Sequence, residues 1–184
     1  MKKIFLILLI FLFSSFQEQI KEGSERWDIK TLTDASSNKI NFLPVASTIS
    51  KLIQIKPPKT IKNNPQRTSE EFGCYVIQCR VTKYLSEDDG DYHLVLSEVN
   101  IPTSITMIGE IPNPECPTVQ KSKYFNKIQK VRLQFNSLKV SKDQIQDGIY
   151  NIYGVAFFDK KHGQNGLAPN GIEIHPILSI TKVQ

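Results

Sequence analysis

From about Phe72 onward, apolar residues alternate with polar ones in short runs that end at turn-forming clusters. Tyr75, Ile77, Cys79 and Val81 stand two apart, the period of a strand with one buried face, and make strand one. Ser86 to Asp91 (SEDDGD) reads as a turn, with Gly90 where positive φ is easiest. His93 to Ser97 is strand two and Thr103 to Ile111 strand three, the latter stopped by PNPECP. The period then changes. Tyr124, Ile128, Val131, Phe135 and Leu138 fall on one stripe of a helix. Ile149 to Phe158 and Ile172 to Lys182 are strands four and five, joined by a polar, glycine-rich loop.

Three strands, a helix and two strands is the order of an OB-fold, a small Greek-key barrel whose open end the helix would plug. The expected class is mainly β: a five-stranded OB-fold-like barrel over residues 71–184, preceded by an extended segment. An α+β sandwich with a meander sheet is the rival arrangement. Residues 20–70 carry little core of their own. Trp27, Ile29 and Leu32 are their expected anchors, and Leu43 to Ile53 fits one amphipathic helix with Pro44 in its first turn. The following IKPPKTIKNNPQRTSEE reads as a linker that wraps the domain or lies loose. Residues 1–19 have the layout of a secretory signal: Lys2 and Lys3, apolar Ile4 to Phe13, then Ser14 and Ser15. The apolar run is well short of the ~20 residues that span a bilayer, so the expected chain is secreted or periplasmic without stable membrane insertion.

That reading alters the charge argument. The formal net charge is +5, but the basic excess lies in the signal and the extension, and residues 71–184 are balanced. A nucleic-acid partner is therefore possible but not favoured. Three cysteines in an oxidising compartment suggest one bridge and one free thiol. Cys79 shares the apolar face of strand one. Cys74 lies on the other face and is the expected partner of Cys116, in a bridge worth about 4 kcal/mol by loop entropy. Zinc-finger spacings are absent.

Chemistry concentrates in a few places. His162 sits in the loop KKHGQNG, which in an OB barrel borders the usual ligand face. His93, Glu110 and His175, with Glu173, would form a polar row across strands two, three and five, a surface suited to binding or acid–base work. Each histidine making one structural hydrogen bond is the plainer alternative. The acidic turn Glu87, Asp88, Asp89 and Asp91 lacks the full calcium loop. The helix region offers Lys121, Lys123, Lys127, Lys130, Arg132 and Lys139, a basic face of the kind that phosphate-rich ligands use. No GxSxG, Cys–His or Walker motif is present. An OB-type nuclease of the micrococcal kind would need arginine after its acidic turn, and TSITMIGEI carries none.

The blocks WDIKTLTD (27–34), DGDYHLVL (89–96), TMIGEIPNPEC (106–116) and GVAFFDKKHGQNGLAPNGIEIHPIL (154–178) resemble an uncharacterised family of exported bacterial proteins. Its members carry DYHLVL, MIAEIP and GVxFFDxxHGQxGxAPNGIELHPVL. The resemblance covers about residues 27–183 and implies an exported OB-like protein with no activity to carry over. It places Asp91, His93, Glu110, Asp159, His162, Gln164, Asn170, Glu173 and His175 inside the family's blocks. This chain has Gly109 where alanine is usual and Lys160-Lys161 within the loop.

The expected function is a secreted, non-catalytic binding module with those nine residues as its ligand face, no cofactor and no metal. Its ligand would be oligosaccharide or cell-wall material, nucleic acid or protein. The alternative is a metal-dependent extracellular hydrolase using the His93/Glu110/His162/His175 surface.

Overall fold

The structure, a computed structural model, describes residues 20–61, 64–100, 105–138 and 148–183. The expected signal segment, the start of the expected third strand and Lys139 lie outside these residues. The chain runs through α1 (Trp27–Lys30), β1 (Asn41–Ser47), α2 (Ile49–Leu52), β2 (Gly73–Ser86), β3 (Tyr92–Glu98) and β4 (Thr106–Ile111). It continues through α3 (Pro117–Gln120), α4 (Phe125–Ser137), β5 (Tyr150–Phe158) and β6 (Ile172–Lys182).

The strands are ordered β1-β2-β3-β4-β6-β5, and β2 pairs back with β5. That closes a five-stranded barrel, with β1 as an extra edge strand. The closing order, with the helices between β4 and β5, is the OB arrangement. Closure requires β2 to serve two neighbours. Its first half pairs with β5 and its second half with β3, with a register shift between Val81 and Lys83 where the strand curls. Alternation divides the side chains into two cores. Ile77, Leu94, Leu96, Met107, Ile152, Ile172, Ile174 and Ile177 fill the barrel, and Val131 and Phe135 of α4 pack into the same core. Outside it, Cys74, Val155 and Leu178 meet Leu32, Ile40, Cys116, Val119 and Ile128 in a second core.

Two expectations are corrected. The helix expected over Leu43–Ile53 survives only as α2. The residues before it form β1, which pairs in parallel with the start of β2. Leu43 and Val45 are exposed on that edge, and of the expected apolar face only Ile49 and Leu52, in α2, are buried in the core; Pro44 is acceptable in an edge strand. The Cys74–Cys116 bridge is also absent. All three cysteines are free and buried. Cys74 and Cys116 share the second core, but the Cys116 thiol faces Glu22 Oε1 at 3.6 Å.

The segment ahead of the barrel is tied down by two buried arginines. Arg26 places all five of its N–H donors: on both oxygens of Glu71 at 2.7 Å, and on the carbonyls of Asn64, Gln66 and Phe158. Glu71 in turn accepts the backbone N–H of Phe158 in β5 and of Thr68. Arg67 binds Asp34 with two nitrogens and caps the carbonyls of Ile29 and Glu71. The linker thus wraps the barrel and carries α1 onto its outer face.

Candidate functional site

The outward positions of β3, β4 and β6 form the row expected from alternation. His93 is paired directly with Glu110 across β3 and β4. Ile108 and Gly109 lie opposite Glu173 and Ile174, which brings His175 level with Glu110. Glu110 bridges the two histidines. Its Oε1 is 2.9 Å from His93 Nδ1 and its Oε2 2.9 Å from His175 Nδ1. The other ring nitrogen of His93 faces the carbonyl of Asn165 at 2.7 Å. Both nitrogens therefore meet acceptors, which makes His93 a doubly protonated imidazolium beside an ionised Glu110.

His175 is fully buried at the foot of the row, against the edge of the Phe157 ring. Its Nδ1 is 3.9 Å from Glu173 Oε2 and its Nε2 3.9 Å from Asp91 Oδ2. Asp91 comes in from the turn before β3 and is fixed by its Oδ1, which accepts the Asn113 N–H at 2.7 Å. Above it, Lys30 of α1 ion-pairs with Asp159 at 3.3 Å and lies over the Phe157 ring. Lys30, Asp91, His93, Glu110, Asp159, Glu173 and His175 thus form one buried charged cluster.

Burial and charge pull these groups apart. Burial would raise Glu110, but the charge of His175 beside it and the hydrogen bond from His93 hold it well below the usual carboxylate range. Burial pushes Asp91 and Glu173 up, each to about 7. Burial would lower His175, but Glu110 outweighs it and raises the imidazole to about 9. Burial also works against the Lys30 ammonium, and Glu110, Glu173 and Asp159 reverse it. Within this cluster four buried atoms have no hydrogen-bond partner: Asp91 Oδ2, Glu173 Oε2 and both ring nitrogens of His175. The 2.9 Å contact between His175 and Glu110 is an ion pair out of line for a hydrogen bond.

Over this cluster opens a cleft of about 590 Å³. His93, Glu110, Asp91, Lys30 and Asp159 face it from below; the segment Lys21–Trp27, the turn Glu87–Asp89 and the loop 160–165 wall it. Those two loops join the first two and the last two strands of the barrel, and β3 and β4 are its second and third. This is the face on which OB barrels carry ligands. Eight carboxylates line the cleft against three lysines.

The nine residues expected at a ligand face do not all meet. Asp91, His93, Glu110, Asp159, Glu173 and His175 gather in the cluster. Gln164 joins at its edge, donating to Asp159 Oδ2 at 3.2 Å and to the Lys160 carbonyl. His162 is exposed on the cleft wall, apart from the other histidines. Asn170 is buried elsewhere and structural: its amide donates to the carbonyls of Leu52 and Ile55, and its Oδ1 accepts the Ile172 N–H. The basic helix face is partly occupied, with Arg132 donating to the Ile111 and Gly90 carbonyls over the Tyr92 ring and Lys127 over Phe42. Sequence reasoning missed Lys30. Its only signal is WDIK, a lysine one helical step beyond the anchoring Trp27.

No protein-family model and no curated protein matches the chain. Among solved structures, a chain assigned as an aspartyl-tRNA synthetase from Leishmania major Friedlin aligns at 11% identity and TM-score 0.45, over 76% of this chain and 21% of that one. An OBody, AM3L09, bound to hen egg-white lysozyme aligns at 11% identity and TM-score 0.41, over 66% of this chain and 98% of that one. The chain thus spans about a fifth of the synthetase's length. The class assigned here, an OB-type barrel with a charged cleft, follows from strand order and site geometry.

Proposed function

We propose that the protein is a secreted OB-type binding module that takes its ligand in the cleft above His93 and Glu110. The carrying observation is placement: the cleft lies on the second and third barrel strands, between the two loops with which OB barrels grip ligands. The excess of carboxylates selects against polyanions, because a phosphate backbone entering it meets like charge. A neutral or cationic oligosaccharide of the cell-wall type suits the polar, acidic lining better than nucleic acid does.

The test is to present the chain lacking residues 1–19 to a glycan array and an oligonucleotide array at physiological salt. Saturable binding to oligosaccharides, weakened by Gln164→Ala on the cleft wall, is expected. Salt-sensitive oligonucleotide binding, or no oligosaccharide binding at all, overturns the reading.

A further inference from the structure

We propose that Asp91, Glu110 and His175 hold one divalent first-row transition ion, Zn²⁺ or Mn²⁺, at the foot of the cleft. The three residues each present a donor atom, and these atoms all lie within 4.8 Å of one another. Donors held at about 2.0–2.1 Å by a tetrahedral ion stand roughly 3.4 Å apart. The 3.9 Å between His175 Nε2 and Asp91 Oδ2 therefore needs only slight closure.

What separates this group from an ordinary acidic cluster is its unpartnered atoms. Asp91 Oδ2 and His175 Nε2 face each other, buried, with no hydrogen bond to any neighbour. A buried polar atom left so costs about 1–3 kcal/mol, and more when charged. An ion between them satisfies both.

The surroundings match what metal-binding histidines require. Such a histidine bonds the metal through one nitrogen and turns the other toward a carboxylate, which fixes its tautomer. His175 Nδ1 faces Glu173 Oε2 and Nε2 faces Asp91 Oδ2, each at 3.9 Å; Glu110 Oε2, which stands 2.9 Å from Nδ1, has to turn toward Nε2 to join the ion. The remaining oxygens are held as well: Asp91 Oδ1 by the Asn113 N–H, Glu110 Oε1 by His93.

One imidazole with two carboxylates suits Zn²⁺ or Mn²⁺. Ca²⁺ wants 6–8 oxygens, which the three donors do not approach. Asp91 and Glu110 both line the cleft, so the ion has a way in and keeps coordination positions open toward it. The site stands whatever ligand occupies the cleft.

The test uses the chain without residues 1–19, stripped with chelator and titrated with ZnCl₂, MnCl₂ and CoCl₂ by calorimetry. Metal content before stripping is read by mass spectrometry. One ion per chain is expected, with visible Co²⁺ bands of low-symmetry N/O coordination. Asp91→Asn, close to isosteric, should weaken affinity at least 100-fold while circular dichroism stays native. Glu173→Gln, which removes only the carboxylate behind the imidazole, should weaken it about 10–100-fold. His175→Gln should abolish it, and Asp91→Asn keeps the test decisive should that variant fail to fold. Less than stoichiometric binding, an unchanged affinity in folded Asp91→Asn, or loss of the ion on His162→Ala at the exposed wall would each overturn the assignment.

Discussion

His93 donates through Nε2 to the carbonyl of Asn165, 72 residues further along the chain, at 2.7 Å. One imidazolium thereby ties the loop after β5 to the barrel face while its other nitrogen holds Glu110. Nearby, Gly166 at φ +85° lets the same loop lie against Val95 on β3. Replacing His93 with alanine should release the loop and leave Glu110 short of a partner. A loss of about 3 kcal/mol is expected by chemical denaturation, with faster hydrogen exchange at residues 160–167. A stability loss without faster exchange there would show that His93 does not tether the loop.

Arg26 and Glu71 are almost completely buried and fully engaged. Arg26→Ala leaves a buried carboxylate uncompensated and should cost roughly 3–5 kcal/mol. Arg26→Lys should rescue little of it, because an ammonium cannot reproduce the five donors of the guanidinium. Equal stability of the lysine variant and the native chain would mean that charge alone matters here.

Two glycines make a contrasting pair. A Cβ on Gly154 would overlap the Pro176 carbonyl and crowd the Ile177 backbone, neither of which can step aside. A Cβ on Gly109 meets only the terminal methyls of Ile177 and Leu96, at 2.9 and 3.0 Å. Gly154→Ala should lose about 3 kcal/mol or fail to fold, whereas Gly109→Ala should stay within about 1 kcal/mol of the native chain. Thermal and urea melts of both variants decide the matter.

The metal-stripped protein should lose stability as pH rises. Asp91, Glu173 and His175 all hold their protons more tightly when folded, with values of about 7, 7 and 9. His93 is also raised, burial being outweighed by its bond to Glu110. The folded state therefore binds more protons than the unfolded one from about pH 4 upward, so stability declines through that range. Glu110, lowered by its histidines, acts oppositely and is lost as a stabiliser on the acid side. A Tm maximum near about pH 5 and a steady fall to about pH 9 are expected. Stoichiometric Zn²⁺ should flatten the fall, since an ion replaces the protons. A maximum above pH 7 in the stripped protein would contradict this.

Cys79 is deeply buried and its thiol is pushed up to about 12 by burial; burial raises the other two thiols also. In the native chain none should react with a thiol reagent within minutes, and all three should react after unfolding. Reductant should leave the Tm unchanged. A drop in Tm on reduction would restore the bridge.

Much of the barrel was legible because β2 and β6 alternate, β3 and β5 carry short apolar runs bounded by turns, and α4 keeps a helical stripe. Those periods act within a few residues and depend on one face being buried. The row His93, Glu110, His175 followed from the same alternation once strand order was assumed, since a period of two puts every second side chain on the outer face. Leu43–Ile53 misled for the complementary reason. Its apolar spacing suits a helix, but pairing with Gly73–Ile77 decided the matter, and that partner lies in another part of the chain. The cysteine argument failed on direction: alternation put Cys74 on the face where Cys116 also packs, but not its thiol toward that of Cys116.

By itself, then, the sequence determined the strand and helix periods and the turn at Gly90. Only the tertiary structure decided that Lys30 descends from α1 onto Asp159, that Asp91 turns inward from its acidic neighbours, and that Asn170 braces Leu52 and Ile55 instead of a ligand. Periodicity is a property of neighbours along the chain. A buried charge is settled by whatever groups the fold brings to it from afar, and its energy depends on distances that no spacing in the sequence encodes.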